Sequence, residues 1–460
     1  MSDARRNPPS ALDNESLAIE IIRVLRQSGH QAFLVGGCVR DRLLHRNPKD
    51  FDVSTDARPE EVTSLFPRSR LVGEQFGVVL VNAGESGVHV EVATFRSETV
   101  YSDGRRPDSV HFEKDPAADV TRRDFTINGL MEDPLHGRIL DYVGGQADLE
   151  RGLVRAIGDP ARRFQEDHLR LMRAARLAAR LGFQIEPSTI AAMRAHAPDI
   201  QHTAAERIRD ELLRILTEGA PRRGIDLLDQ ALLLEQVLPE LKACQGVEQP
   251  PEFHPEGDVY THTLLMLDLL EHPSATLAMG VMLHDIGKPP TFRIAERIRF
   301  DGHVEAGIEI AKGILRRLRF SNEQSEQILS LIANHMRFSH VHQMKQSTLK
   351  RFLRLPDFNE HLELHRVDCL SSHGGLDNFH FAKQQFAALS DEQLHPPRLI
   401  TGQDLIERGF AAGANFRVVL QEVETGQLEG AITTREQALE LAVRRLTELG
   451  QVLTRPGGRE

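Results

Sequence analysis

Residues 32 to 53 confine the chain to few folds. Four apolar residues, Ala32 to Val35, run directly into Gly36-Gly37, a short helix from Val39 to Leu44, and then Lys49-Asp50-Phe51-Asp52-Val53. Glycine lets the backbone turn tightly and come close to a ligand. Amides at a strand-to-helix turn, with the helix dipole behind them, suit a triphosphate. The second apolar run, Phe51 to Ser54, reads as a strand, so Asp50 and Asp52 share a face while Phe51 turns to the core. Two carboxylates held side by side repel unless a cation lies between them, and paired Mg²⁺ ions are the natural solution. One ion can activate a hydroxyl nucleophile and the other can neutralise departing pyrophosphate. Alone, the glycines could mark a surface turn and the aspartates an exposed strand face. Strand, diglycine turn, helix and D-x-D in that order are much rarer.

The surroundings extend this into an α+β chain. A helix is expected over Glu15–Ser28, and Gly77–Asn82 with Val88–Phe95 reads as a hairpin bent at Gly84 and Gly87. The first 145 residues or so thus form a mixed sheet with helices. After Gly158-Asp159-Pro160 the periodicity becomes helical, over 163–182, 188–196 and 204–217. Gln249-Pro250-Pro251 and His395-Pro396-Pro397 mark further boundaries around a histidine-rich helical stretch. Modules are therefore placed at 15–150, 151–245, 250–390 and 395–460, consistent with a chain of 460 residues.

Bulk properties exclude some classes. No apolar stretch approaches membrane-spanning length, and MSDARRNPPS has neither signal- nor transit-peptide character. Cys38, Cys244 and Cys369 are far apart and in no metal spacing, which fits a reducing cytosol. The net charge of −11 sits awkwardly with a polyanionic partner. Local counts soften this. Residues 155–180 hold seven arginines against three acids, and Lys345–Arg354 holds four basic residues and no acid.

Glu166-Asp167-His168-Leu169-Arg170 is expected to open a helix, with Asp167 and Arg170 three apart on one face. Cytosine and adenine each offer an amino donor beside a ring-nitrogen acceptor, while uracil and guanine present the reverse. A fixed carboxylate beside a fixed guanidinium would accept C and A. As a bare pattern the pair is an ordinary helix salt bridge. Arg173, Arg176 and Arg180 continue the spacing as a cationic stripe, with Arg180 expected at the surface.

Together these segments resemble the class II, bacterial and eukaryotic, tRNA nucleotidyltransferase and poly(A) polymerase family. Gly73–Val79 and Val90–Arg96 look like that family's next strands. The resemblance implies a polymerase-beta-like, mixed-sheet nucleotidyltransferase head followed by all-α neck, HD and tail domains. It implies CCA addition to tRNA from CTP and ATP, with Mg²⁺ on Asp50 and Asp52 and the nucleotide held by Gly36, Gly37, Arg40, Arg122, Asp124, Asp167, Arg170, Arg173 and Arg176. Glu91 is either a third acid facing the aspartate pair or an arginine's partner. Asp103–Pro107 is similar to a loop the family moves during A addition, and equally to a plain surface loop. Glu206–Leu212 resembles a motif that braces the Asp167–Arg170 helix.

Residues 262–368 resemble the HD superfamily of metal phosphohydrolases through His262, His284-Asp285 and Asp368. The resemblance implies Mn²⁺, Ni²⁺, Co²⁺ or Fe²⁺ there, with His303 and His335 as further ligands or ordinary histidines, and substrates among RNA-end phosphates. Leu399–Leu405 through Arg435–Leu439 resembles the family tail, with Ala411–Ala414 in place of its Pro-Gly-Pro turn. Within the family the rivals are A-adding, CC-adding and poly(A)-adding enzymes. Outside it they are an RNA-end phosphohydrolase with a nucleotide-binding head, or an inert tRNA-binding scaffold.

Overall fold

The computed structural model describes residues 13–72, 77–82, 87–98 and 110–451. The Asp103–Pro107 loop, residues 73–76 and the expected bend at Gly84 lie outside these. The chain forms two compact units, Met1–Ala243 with Ile314–Phe320, and Cys244–Gly313 with Ser321–Glu460.

The first unit opens with a helix, Asn14–Gln27, whose first turn is capped by Asp13 accepting from the Ser16 amide at 2.8 Å. Leu17, Ala18, Ile21, Ile22 and Leu25 form its buried stripe, which packs on the sheet. The strands are β1 (Ala32–Val35), β2 (Asp52–Thr55), β3 (Ser69–Val72), β4 (Val78–Asn82), β5 (His89–Thr94), β6 (Arg96–Glu98), β7 (Val110–Phe112), β8 (Leu130–Asp133) and β9 (Arg138–Asp141). Seven of them form one sheet in the order β3-β4-β5-β2-β1-β8-β9, while β6 and β7 pair separately. Only β2 and β5 run parallel in that sheet, so it is mixed as expected. Phe33, Val35, Phe95, Val120 and Met131 form a core cluster beside it.

Two registers place the chemistry. Antiparallel pairing sets Val35, the last residue before the diglycine, opposite Asp52. Parallel pairing sets Glu91 beside the same aspartate. The strand begins at Asp52 and not at Phe51, so Asp50 lies just outside it and is exposed. Phe51 is buried, as its alternation requires.

The helix expected over 163–182 is two helices, Pro160–Glu166 and Arg170–Leu181. Asp167 breaks it with an extended backbone (φ −145°, ψ 104°), and its carboxylate accepts from the Leu169 amide at 3.1 Å. Aspartate competes in this way for nearby amides, which sequence periodicity does not register. The neck also carries a parallel strand pair, Leu153–Val154 with Gln184–Ile185, so it is not wholly helical. The expected helices at 188–196 and 204–217 are Pro187–Ala195 and Ala205–Thr217.

The second unit is helical apart from a hairpin, Arg293–Ile294 with Ile298–Arg299. Its tail packs Leu405, Val419, Val423, Ala442 and Leu446 into a separate cluster. Gly413, in the Ala411–Ala414 segment, is extended (φ −172°) and caps the helix Ala414–Leu428, so that turn needs no proline. The basic run Lys345–Arg354 has a structural task, contrary to its use as a local basic patch. Arg351 and Arg354 pair with Glu424, and Lys350 donates to the Leu428 carbonyl.

Asp119 is a fully buried charge of the first unit. Its carboxylate accepts from Arg122 at 2.6 Å and from Arg123 at 2.9 Å. Burial would raise its pKa, but the two arginines outweigh burial and hold it below the ordinary value. Its stabilisation is therefore complete above about pH 4 and lost as pH falls through the lower folded value. Asp119→Asn should cost about 3 kcal/mol by leaving buried cations uncompensated. Urea unfolding at pH 7 measures this, and the gap between parent and variant should narrow on acidification below pH 4. An unchanged midpoint at pH 7 would refute the assignment.

Candidate functional site

One cleft of about 360 Å³ in the first unit gathers most residues singled out from sequence: Gly36, Gly37, Arg40, Asp52, Asp167 and Arg170. Arg122, Asp124, Arg173, Arg176 and also Arg180 line it too. Arg180 is therefore no plain surface residue; it lies 3.5 Å from Asp41. Gly36 occupies the left-handed region (φ 80°, ψ −131°), a conformation that favours glycine, and its amide donates to the Leu130 carbonyl. The chain can thus leave β1 and enter the helix Gly37–Leu43 without a side chain in the cleft.

Asp52 remains partly exposed to the cleft, yet the protein around it, then Glu91, raise its carboxyl to about 6. Arg123 opposes that shift and Asp50 adds to it. Among the described residues Glu91 forms no ion pair with arginine, and register puts it on the Asp52 side. This favours the acidic-neighbour reading. The head carboxylates do not gather three donors within mutual ligating reach among the described residues. Mg²⁺ needs no such cage, since it commonly uses one or two carboxylates, water and substrate phosphates.

A polar chain crosses the cleft floor. Arg40 Nη1 donates to Asn128 Oδ1 at 2.6 Å, Asn128 Nδ2 donates to Asp124 Oδ1 at 3.1 Å, and Arg173 meets Asp124 Oδ2 at 2.6 Å. Arg122 reaches Asp119 with its side chain and offers its carbonyl to Arg170 at 3.1 Å. Arg176 is matched by Glu211 and Glu218. Each of the seven arginines between 155 and 180 has an acidic partner. The cationic stripe is thus largely compensated within the fold.

Asp167 and Arg170 come together by a different route from the one expected. They do not share a helical face; Asp167 precedes the helix that Arg170 begins. Each is held from outside. Arg207 forks onto the Asp167 carboxylate at 3.1 and 2.9 Å, while Arg170 donates to Glu166 at 2.8 Å and to the Arg163 carbonyl at 3.0 Å. The expected bracing by 206–212 takes this form, through Arg207 to Asp167 and Glu211 to Arg176. Asn128 and Arg123 flank the expected Asp124, but no sequence pattern indicates what they touch.

The second unit brings His262, His284, Asp285, His303, His335 and Asp368 to one place. His262, His284 and Asp368 form one set of donors within 4.8 Å of one another, and Asp285, His303 and His335 form another. The ring nitrogens are ordered. Nδ1 of His284, His303 and His335 faces the carbonyls of Val281, Phe300 and Ile332 at 2.8, 2.9 and 2.7 Å. This assigns the proton to Nδ1 and leaves Nε2 a lone pair aimed inward. The buried Nε2 of His262 lies 3.2 Å from Asp368 Oδ1 and that of His284 3.1 Å from Asp285 Oδ2, neither in a well-aligned hydrogen bond. Such donors, beside two carboxylates, fit a divalent metal.

His262 differs from the other three. Its Nδ1 faces Glu256 Oε1 at 2.6 Å, and the same oxygen faces His254 at 2.9 Å. Burial would lower its pKa, but Asp368 and Glu256 outweigh it and raise it to about 9. Glu256 gave no signal in the sequence, because it lies in a turn whose partners only folding supplies. Gly287, in the Leu283–Pro289 segment, has a structural reason. A Cβ there would sit 2.0 Å from the His303 carbonyl oxygen and 2.5 Å from the Gly307 amide nitrogen. Gly287→Ala should therefore destabilise the second unit by about 2 kcal/mol through overpacking against backbone and disturb the position of His303. Thermal unfolding tests this, and an unshifted melting temperature would contradict the contact.

With this geometry in hand, comparison adds the following. Residues 32–155 match the poly A polymerase head domain, 182–245 the probable RNA and SrmB-binding site of polymerase A, and 259–357 the HD domain. Asp368 lies beyond the last match. A Levilactobacillus brevis protein described as a CCA-adding enzyme is 44% identical over 219 residues, which is 47% of this chain and 54% of that protein. A Bacillus subtilis protein of the same description is 40% identical over 220 residues, 48% and 55% respectively. The chain thus spans about half the length of the curated relatives it matches. The structure of the Bacillus stearothermophilus CCA-adding enzyme in complex with CTP superimposes with a TM-score of 0.71 at 25% identity, covering 94% of this chain and 98% of that one. The Thermotoga maritima CCA-adding enzyme complexed with tRNA shares the fold at a TM-score of 0.56 and 19% identity, covering 96% and 97%. No helix of the described residues is long and apolar enough to cross a membrane.

Proposed function

We propose that this chain, which belongs to the poly(A) polymerase and tRNA nucleotidyltransferase family and carries an HD domain, completes the CCA end of tRNA from CTP and ATP. We read 15–150 as the nucleotidyltransferase head, 151–245 as the nucleotide- and RNA-binding neck, 250–390 as the HD domain and 395–460 as the tail. The observation that carries this reading is the pair Asp167 and Arg170, separately braced and lining one cleft with Asp52 and the diglycine turn. The carboxylate accepts from the amino group of C or A, and the guanidinium donates to the adjacent ring nitrogen. Gly36 and Gly37 allow the triphosphate to approach the backbone. Arg40 and Asp124, tied through Asn128, hold the phosphates and ribose between turn and helix. Mg²⁺ at Asp50 and Asp52 would supply charge neutralisation for the attack of the tRNA 3′-hydroxyl on the α-phosphate. Labelled CTP on tRNA ending at the discriminator base separates this reading from an A-adding enzyme.

Asp50→Ala and Asp52→Ala should each lower C and A incorporation about a thousandfold while tRNA still binds. Rates within tenfold of the parent in either variant would remove that aspartate from the metal assignment.

Base choice should follow the braced pair. Asp167→Ala and Arg170→Ala should each lose about 1–3 kcal/mol of discrimination against UTP and GTP. Arg207→Ala should do the same more weakly, since it frees the Asp167 carboxylate without removing it. Single-nucleotide incorporation with all four NTPs on one tRNA measures this. Unchanged C and A preference in both direct variants would place selection elsewhere.

We propose phosphohydrolysis of RNA-end phosphates for the second unit, with His262, His284, Asp285 and Asp368 as ligands and His303 and His335 completing a second ion's set. The ion would be Mn²⁺, Ni²⁺, Co²⁺ or Fe²⁺, supplying an activated water. Glu256 orients His262 from behind. Glu256→Gln should weaken Mn²⁺ binding about 10- to 100-fold, read by calorimetry on metal-stripped protein. Full affinity in this variant would end the orienting role. No hydrolysis of 2′,3′-cyclic or 2′-phosphate ends with any of these ions would end the phosphohydrolase reading.

A further inference from the structure

The cavity holding the histidine–aspartate cluster is about 580 Å³, and one wall comes from the hairpin around Arg293–Arg299. That hairpin is built against its own stability. Arg293 and Arg299 are direct cross-strand partners, so their guanidinium groups start from one face of the ribbon, and Arg297 lies in the bend just before the second strand. Like charges opposite one another destabilise a strand pair, and a lone hairpin is marginal in any case. None of the three has an ion pair or side-chain hydrogen bond among the described residues. All three are exposed. The arginines of 155–180, by contrast, all lie in ion pairs within the fold, three of them sharing Glu166.

Arg297 and Arg299 line the cavity that contains His284, Asp285 and Asp368. The nearby cation Lys288 is already committed to Asp285 at 2.6 Å and to Gln249 at 2.6 Å. Phe253, 51% exposed, and Met336, 50% exposed, line the same cavity. Unpaired guanidinium groups beside exposed aromatic and thioether surface match what a single RNA strand offers, phosphodiesters and base faces in alternation. An anion among the three arginines would also relieve their repulsion.

We propose that the Arg293–Arg299 hairpin is a docking subsite for the single-stranded RNA that leads into this cavity, with Phe253 supplying a stacking surface. The arginines take internucleotide phosphates, and the terminal phosphate reaches the histidine–aspartate cluster. The preferred substrate is then the end of an RNA strand and not a free mononucleotide. This rests on the phosphohydrolase reading above for its catalytic half only.

The test compares the full chain with its R293Q/R297Q/R299Q variant, unchanged Mn²⁺ binding by calorimetry and an unchanged melting temperature confirming that the second unit is folded. Binding of a fluorescein-labelled pentaribonucleotide with a 3′-terminal phosphate is followed by anisotropy across salt concentrations. The variant should bind about tenfold or more weakly, and its log–log salt slope should be shallower by about 2, for three single-strand phosphate contacts. With Mn²⁺ present, kcat/KM for a 2′,3′-cyclic-phosphate-ended oligomer relative to 2′,3′-cyclic AMP should fall about tenfold. Unchanged affinity and slope would overturn the docking subsite, as would an equal loss toward poly-glutamate, which would mark a generic polyanion contact. If the parent hydrolyses neither substrate while the substitutions still weaken RNA binding selectively, the phosphohydrolase reading falls and the docking subsite stands.

Discussion

The pairing of β1 against β2 governs the first unit. Because Val35 lies opposite Asp52, the glycines that leave one strand emerge beside the carboxylate that begins the next. A slip of one residue would turn Asp52 to the other face and bury it. β1 is buried along its whole length and β2 is buried at every residue but Asp52, so a slip would exchange an exposed carboxylate for a buried one. The position of Glu91 then follows from β5 pairing with the same strand. Hydrophobic register thus fixes an electrostatic site.

Arginine pairing shapes the rest of that cleft. Between 155 and 180 every arginine lies in an ion pair, three of them sharing Glu166. A paired guanidinium loses reach but gains a fixed direction, as with Arg170 between Glu166 and two carbonyls. That trade suits recognition of a base edge, where donor position matters more than net charge. It also explains why total charge says little about the groups this cleft presents.

In the second unit the ordering agent is the backbone. Three histidines near helix ends present Nδ1 to carbonyls of the preceding turn, and this alone directs three Nε2 atoms inward. Gly287 allows the backbone at His303 to approach the Leu283–Pro289 segment closely enough for the two donor sets to adjoin. His262 lacks such a carbonyl contact for its Nδ1 and uses Glu256 in its place.

Much of this was determined by sequence alone, because it depends on short-range order. Strand alternation and the diglycine turn fall within a few residues, so periodicity and spacing reveal them, while the H…HD…D set was read from its resemblance to the HD superfamily. The mixed sheet, the helical neck and the side of the sheet that Asp52 faces were legible in this way. Other features depended on particular side-chain contacts, near or far along the chain, that periodicity does not register. Asp167 was expected on a helical face but ends one helix before another, because its side chain captures an amide that a periodic pattern cannot anticipate. Arg207, Asn128 and Glu256 acquire their tasks only through partners 40, 88 and 6 residues away. The basic run Lys345–Arg354 looked free and is spent on the tail helix. Sequence lists which charges exist, and only the tertiary structure decides which of them neutralise one another, because a charge pairs with whatever folding brings within a few ångströms.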